Sequence, residues 1–174
     1  MNKSVGLSNM PLAIGTKVVK FLSMSRADYN TYRGWPFPVD ENGADQGYLV
    51  EYVDGGTPNH ANHDGYISWS PQEQFNKAYR VTTGLTFGLA VEAMKLGKKV
   101  ARAGWNGVGM FVYYVPANKY PAQTGVAQAY FGEGAMVPYN AYMALKGTGD
   151  TVSVWTPSGS DALAEDWSII ECAK

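Results

Sequence analysis

A tryptophan set between two glycines, in Gly104-Trp105-Asn106-Gly107, is the first place in this sequence where chemistry could gather. An indole wants burial, and a turn sits at the surface. Trp105 therefore either folds back as a lid on the core or offers a flat platform for another ring. Trp155 is a second such platform. A purine stacked on an indole gains about 1–3 kcal/mol, whatever the base. Asn106 carries a donor and an acceptor, which suits a base edge or a ribose hydroxyl. Asn followed by Gly is equally well explained as a left-handed turn pair. Arg102 could fork onto a phosphate, or it could pair with Asp161 or Asp166. Asp161 could accept hydrogen bonds from a ribose diol, or stabilise a helix start by ~0.3–1 kcal/mol. Thr156 and Ser158 could donate to a phosphate beside that helix start, or simply cap it.

The elements that must position these residues are readable around them. Phe87, Ala90, Val91 and Met94 recur at helical spacing and mark one apolar face. Thr86 can cap that helix, and Gly97 sits where a left-handed residue closes it. A short strand over 100–103, the Trp105 turn and a strand over 110–115 follow, and Pro116 stops the second strand. Along that strand Phe111, Tyr113 and Val115 point one way and Met110, Val112 and Tyr114 the other. The Phe111/Tyr113 face is expected to meet a ligand or a partner. Residues 117–138, rich in Gly and Ala, are too long for a plain connection and read as a flap or a weak hairpin. A hairpin around Gly147–Asp150, a helical turn over 161–165 and a strand over 167–171 complete the chain.

The first half repeats this vocabulary. A strand over 16–24, a short helix over 26–32 capped by Ser25, a strand over 47–53 and a strand over 66–69 precede Ser70-Pro71-Gln72-Glu73. That tetrad reads as a capping box with proline at the first helical position. Four matches run in the same order in both halves. Gly15–Val18 resembles Gly97–Val100, Gly34-Trp35 resembles Gly104-Trp105, residues 47–53 resemble 109–115, and Ser68–Pro71 resembles Val154–Pro157. A degenerate duplication follows from this order. The expected fold is α+β, with two small related units, each a helix packed on an antiparallel β-sheet. Residues 1–82 form an N-terminal unit, residues 85–174 a second one, and residues 82–84 read as the linker.

Composition excludes several functions. The chain has 174 residues, with 14 Lys plus Arg against 15 Asp plus Glu. Such a balance argues against a nucleic-acid polymer, which needs a basic face. A small nucleotide needs only one or two donors and a ring to stack on. The single Cys172 supports neither a disulfide framework nor a Cys-based metal site. The N-terminus has no apolar stretch of the kind a signal peptide carries. No apolar run approaches the ~20 residues of a membrane span. No nucleophile elbow, phosphate loop or Ser/His/Asp signature occurs, and Glu165 and Asp166, being adjacent, point apart on a helix. No catalytic residue and no cofactor are therefore expected. His60 and His63, the two histidines, could hold a metal with Asp64, but they sit in a loop without a third ligand on a rigid element. No metal is expected there.

The stretches Gly97–Gly107 and Gly109–Pro116, the pair Trp155-Thr156, and Asp161-Ala162-Leu163-Ala164-Glu165-Asp166-Trp167 together resemble a phage-encoded family, Thoeris anti-defence two. The resemblance covers about residues 85–172 and leaves residues 1–82 outside it. It implies an oligomeric protein that binds a cyclic ADP-ribose-type signal or a cyclic dinucleotide without cleaving it. The implied setting is the cytoplasm of an infected host. With it, the candidate ligand-binding residues are Arg102, Trp105, Asn106, Phe111, Tyr113, Trp155, Thr156, Ser158 and Asp161.

Overall fold

A computed structural model describes residues 13–170. The chain divides into two compact units between Tyr79 and Arg80. Both are mixtures of helix and antiparallel sheet. Glu171 and Cys172 lie outside the described residues.

The N-terminal unit runs β1 (Val19–Ser23), α1 (Arg26–Arg33), β2 (Gly47–Tyr52), β3 (Tyr66–Pro71) and α2 (Gln72–Ala78). Its sheet is an antiparallel meander in the order β1-β2-β3. Ser25 caps α1 by accepting from the Asp28 N–H at 3.2 Å, and Gly34 closes it in the left-handed region at φ 66°. Alternation along β2 sends Leu49 and Glu51 to one face and Tyr48 and Val50 to the other. On the first face Tyr29 and Tyr32 of α1 pack with Leu49, Ile67 and Trp69. On the second, Phe75 of α2 meets Phe21, Tyr48 and Tyr79, with centroids 4.5–5.0 Å apart. The capping box expected at Ser70 does not form. β3 continues through Pro71, which takes the N-cap position of α2 without a side-chain hydrogen bond.

The C-terminal unit runs α3 (Phe87–Lys95), β4 (Lys99–Arg102), β5 (Phe111–Val115), β6 (Asn118–Pro121), α4 (Gly125–Phe131), β7 (Met136–Tyr139), β8 (Tyr142–Lys146), β9 (Val152–Trp155), α5 (Gly159–Ala162) and β10 (Trp167–Ile170). The main sheet has the order β10-β4-β5-β8-β9, antiparallel throughout. Thr86 caps α3, and the helix closes with Gly97 at φ 81°. There the Gly97 N–H donates to Met94 O and the Lys98 N–H to Ala93 O, a pair that satisfies two end carbonyls. Ala90, Ala93 and Met94 of α3 press on Val100, Val112 and Trp167, and Trp167 is fully buried. Residues 117–138 form a separate two-stranded hairpin, β6 with β7, whose connection holds α4. Thr82 O accepts from Ile169 N–H and Leu85 pairs with Trp167, so residues 82–85 are stitched to β10 rather than spanning a gap.

In each unit the matched strand, 47–52 or 111–115, lies between two antiparallel neighbours, β1 and β3 or β4 and β8. The fourth sequence match is not equivalent: β3 lies beside β2, whereas β8 separates β9 from β5.

Candidate functional site

Arg102 ends β4, and its guanidinium is held by two carboxylates. Nε donates to Asp166 Oδ1 and Nη1 to Asp161 Oδ1, both at 2.8 Å. Asp166 Oδ2 also accepts from the Gly104 N–H at 2.9 Å, which fixes the start of the Trp105 turn. Asp161 is filled on both oxygens. Oδ1 takes Arg102 and the Trp105 indole N–H at 3.2 Å, while Oδ2 takes the Ser158 N–H at 3.1 Å and its hydroxyl at 2.6 Å. Ser158 returns the bond by accepting from the Asp161 N–H, so a capping box forms at α5. Burial works against the Asp161 charge, yet the hydrogen bonds from Ser158, Arg102 and Trp105 outweigh it and hold the carboxyl at about 2. Asp166 is held below the usual carboxylate range chiefly by Arg102, and Arg102 is raised by Asp166 and Asp161.

Two carboxylates on one guanidinium leave this knot with a net negative charge. A carboxylate offers about four acceptor sites, and those of Asp161 are taken. Arg102 and Asp161 thus spend their hydrogen bonds on partners within the chain. What it does is clamp the Trp105 turn to α5.

The rings tell the same story. Trp105 lies edge-on to Trp155 at 6.0 Å and to Trp167 at 5.4 Å, and Trp155 lies edge-on to Trp167 at 6.0 Å. Phe87 of α3 completes the cluster at 5.4 Å from Trp167. Trp105 and Trp155 are half-buried against the core. The glycine after Asn106 has a steric reason, since a Cβ at Gly107 would overlap Met110 Sδ and Thr148 Cγ2. The left-handed explanation for Asn106 does not hold, because among the described residues the non-glycine with positive φ is Asp150. Asn106 and Thr156 are exposed.

Strand parity separates the remaining candidates from this cluster. Val112 pairs with Val100 on the face under α3. Phe111 and Tyr113 therefore occupy the opposite face, their rings 6.0 Å apart. Two cations that sequence reading missed share that face. Lys99 places its ammonium 4.9 Å from the Phe111 centroid, and Lys146 stands opposite Phe111 in the β5–β8 register. Lys146 Nζ is held at 2.7 Å by Asp150, itself an exposed residue. Exposed Val152 and Val154 extend the same face along β9. No local spacing could reveal this patch, since its members meet only through the pairing of four strands.

His60 and His63 lie in the N-terminal unit. The His60 ring stacks on Tyr32 at 4.4 Å, and the nitrogens of His63 face Glu51 and the Tyr32 hydroxyl. Among the described residues no group of three or more His, Cys, Asp or Glu is placed to hold a metal ion.

Comparison with known proteins matches residues 85–170 to the family described as the Thoeris anti-defense 2-like domain. The curated relative Thoeris anti-defense 2 of Bacillus phage SP01 is 35% identical over 89 residues, which cover 51% of this chain and 97% of that protein.

Proposed function

The chain belongs to the Thoeris anti-defense 2-like family through its C-terminal unit, and from that premise we propose that it is a phage anti-defence protein that sequesters a cyclic nucleotide immune signal. The ligand is of the cyclic ADP-ribose type or a cyclic dinucleotide, and it is bound without being cleaved. Free messenger then falls by mass action, below the level that its effector needs.

The observation that carries this reading is the patch on the face of the five-stranded sheet opposite α3. Phe111 and Tyr113 offer two rings, and Lys99 and Lys146 offer two ammonium groups. A nucleotide needs that combination: a stacking surface for its base and cations for its phosphates. Asn106 and Thr156 add exposed polar groups elsewhere on the unit. The Arg102, Asp161, Ser158, Trp105 and Trp155 cluster serves the site by holding the turn that carries Asn106. The apolar continuation through Val152 and Val154 suits a second copy of the chain, so the ligand-bound form is a homo-oligomer. The protein acts in the infected host's cytoplasm; among the described residues no helix is long and apolar enough to cross a membrane.

Calorimetric titration of the full chain with a cyclic ADP-ribose-type ligand and with a cyclic dinucleotide tests the proposal. Saturable binding to at least one, weakened by Phe111→Ala and by Lys99→Gln, supports it. Heat-silent titrations with both classes contradict it.

A further inference from the structure

The N-terminal unit contains a relay that the sequestration of a nucleotide does not use. Glu51 sits on central strand β2, on the face that α1 covers, among Leu49 and Ile67. An apolar residue would be expected at such a position. Instead there is a carboxylate, with a side chain only 9% exposed. Its Oε1 accepts from the Asp64 and Gly65 N–H groups at 3.1 and 3.2 Å. Its Oε2 faces His63 Nδ1 at 3.3 Å and Lys20 Nζ at 3.5 Å. His63 Nε2 lies 2.9 Å from the Tyr32 hydroxyl.

An ionised carboxylate can only accept, so Nδ1 of His63 carries the hydrogen. In the neutral ring Nε2 is then the acceptor, and Tyr32 must be the donor. A hydroxyl bonded to a base, with the base oriented by a buried carboxylate, is the arrangement that activates a nucleophile. The three groups open onto a cavity of about 180 Å³, walled by Leu22, Met24 and Leu49, with Lys20 also on its lining.

We propose that Tyr32 is a nucleophilic phenol that accepts an acyl group from an activated ester or thioester. The apolar wall takes a short acyl chain. A phosphoryl group fits less well, because Lys20 is the one cation on the lining and already faces Glu51. In the step, the Tyr32 O–H bond breaks and its proton passes to His63 Nε2. A bond forms from Tyr32 Oη to the acyl carbon. The bond from that carbon to the leaving oxygen or sulfur breaks, and the leaving group departs with the electron pair and takes the proton from His63. Glu51 stabilises the imidazolium formed between the two transfers. Tyr32 alone bonds to the substrate; Glu51 is a positioning residue. The inference is independent of the nucleotide face of the C-terminal unit.

The test is to incubate the full chain with para-nitrophenyl butyrate, then map the butyryl group by peptide mass spectrometry. One butyryl group on Tyr32 is expected. Tyr32→Phe should abolish that adduct, and His63→Gln should slow its formation about a hundredfold, the scale of a lost general base. Melting curves of both variants must match the parent, which separates lost reactivity from lost fold. Butyrylation confined to lysines or the N-terminus would overturn the proposal. So would equal labelling of Tyr32 in the His63→Gln protein, which would reduce the relay to a fastening of the loop before β3.

Discussion

Asp161 joins Arg102, Trp105 and Ser158 through one carboxylate, and its protonation should register in stability. Its carboxyl stands at about 2 in the folded chain, against ~3.9 for an unperturbed aspartate. The unfolded chain therefore takes up the proton first as pH falls. The contribution of Asp161 is complete above about pH 4 and is lost toward pH 2, on the order of 2 kcal/mol. Urea unfolding across that range should show a steep acid limb in the parent, and Asp161→Asn should flatten it; an unchanged limb would remove Asp161 from the account. The rings separate by the same logic. Trp105→Ala takes a half-buried indole from the tryptophan cluster and should cost about 2–4 kcal/mol of stability. Phe111→Ala should leave the melting temperature nearly unchanged and weaken nucleotide binding by roughly tenfold to a hundredfold, the value of one stacked base. Measuring melting and affinity on both variants decides the matter, and the opposite pattern would return the stacking role to Trp105.

At the scale of elements, much was legible because its determinants are local. The apolar spacing of Phe87, Ala90, Val91 and Met94, the Thr86 cap and the Gly97 stop define α3 within a few residues of sequence. Gly97 lies at φ 81°, a conformation that a Cβ makes costly. Gly97→Ala should therefore lose about 1–2 kcal/mol, read as a lowered denaturant midpoint; a neutral result would mean that the helix end relaxes freely. One error, at Ser70, and one omission, of α4 within the hairpin at 117–138, were also local in origin. Ser70 and Ser158 each precede an acid by three positions, but only Ser158 is free of a strand and able to cap. The composition of residues 117–138 concealed α4, which Thr124 caps and which buries no residue. The site was less legible than the helix. Arg102 read equally as a phosphate ligand or an ion-pair partner, and only folding brings both Asp161 and Asp166 to it. Lys99 and Lys146 were invisible for the same reason, since Lys99 meets the Phe111 ring from β4 and Lys146 lies opposite Phe111 on β8.

For the whole molecule, near-neutral charge and family membership point the same way. With 14 basic and 15 acidic residues, the protein lacks the excess of cations that a polymer of phosphates demands. Gel shifts with duplex DNA or RNA at physiological salt should show only weak, unspecific retention, and a tight complex with a steep salt dependence would contradict this. A small cyclic nucleotide asks far less, and the patch of Phe111, Tyr113, Lys99 and Lys146 matches it in kind. Under the proposed function such a ligand is captured and kept whole. The most direct measurement is to load the full chain with each class of cyclic nucleotide, remove free ligand, denature the protein and identify any released molecule by mass spectrometry. Release of the intact cyclic compound in stoichiometric amount is the predicted result; linear fragments, or no retained nucleotide from either ligand class, would contradict it.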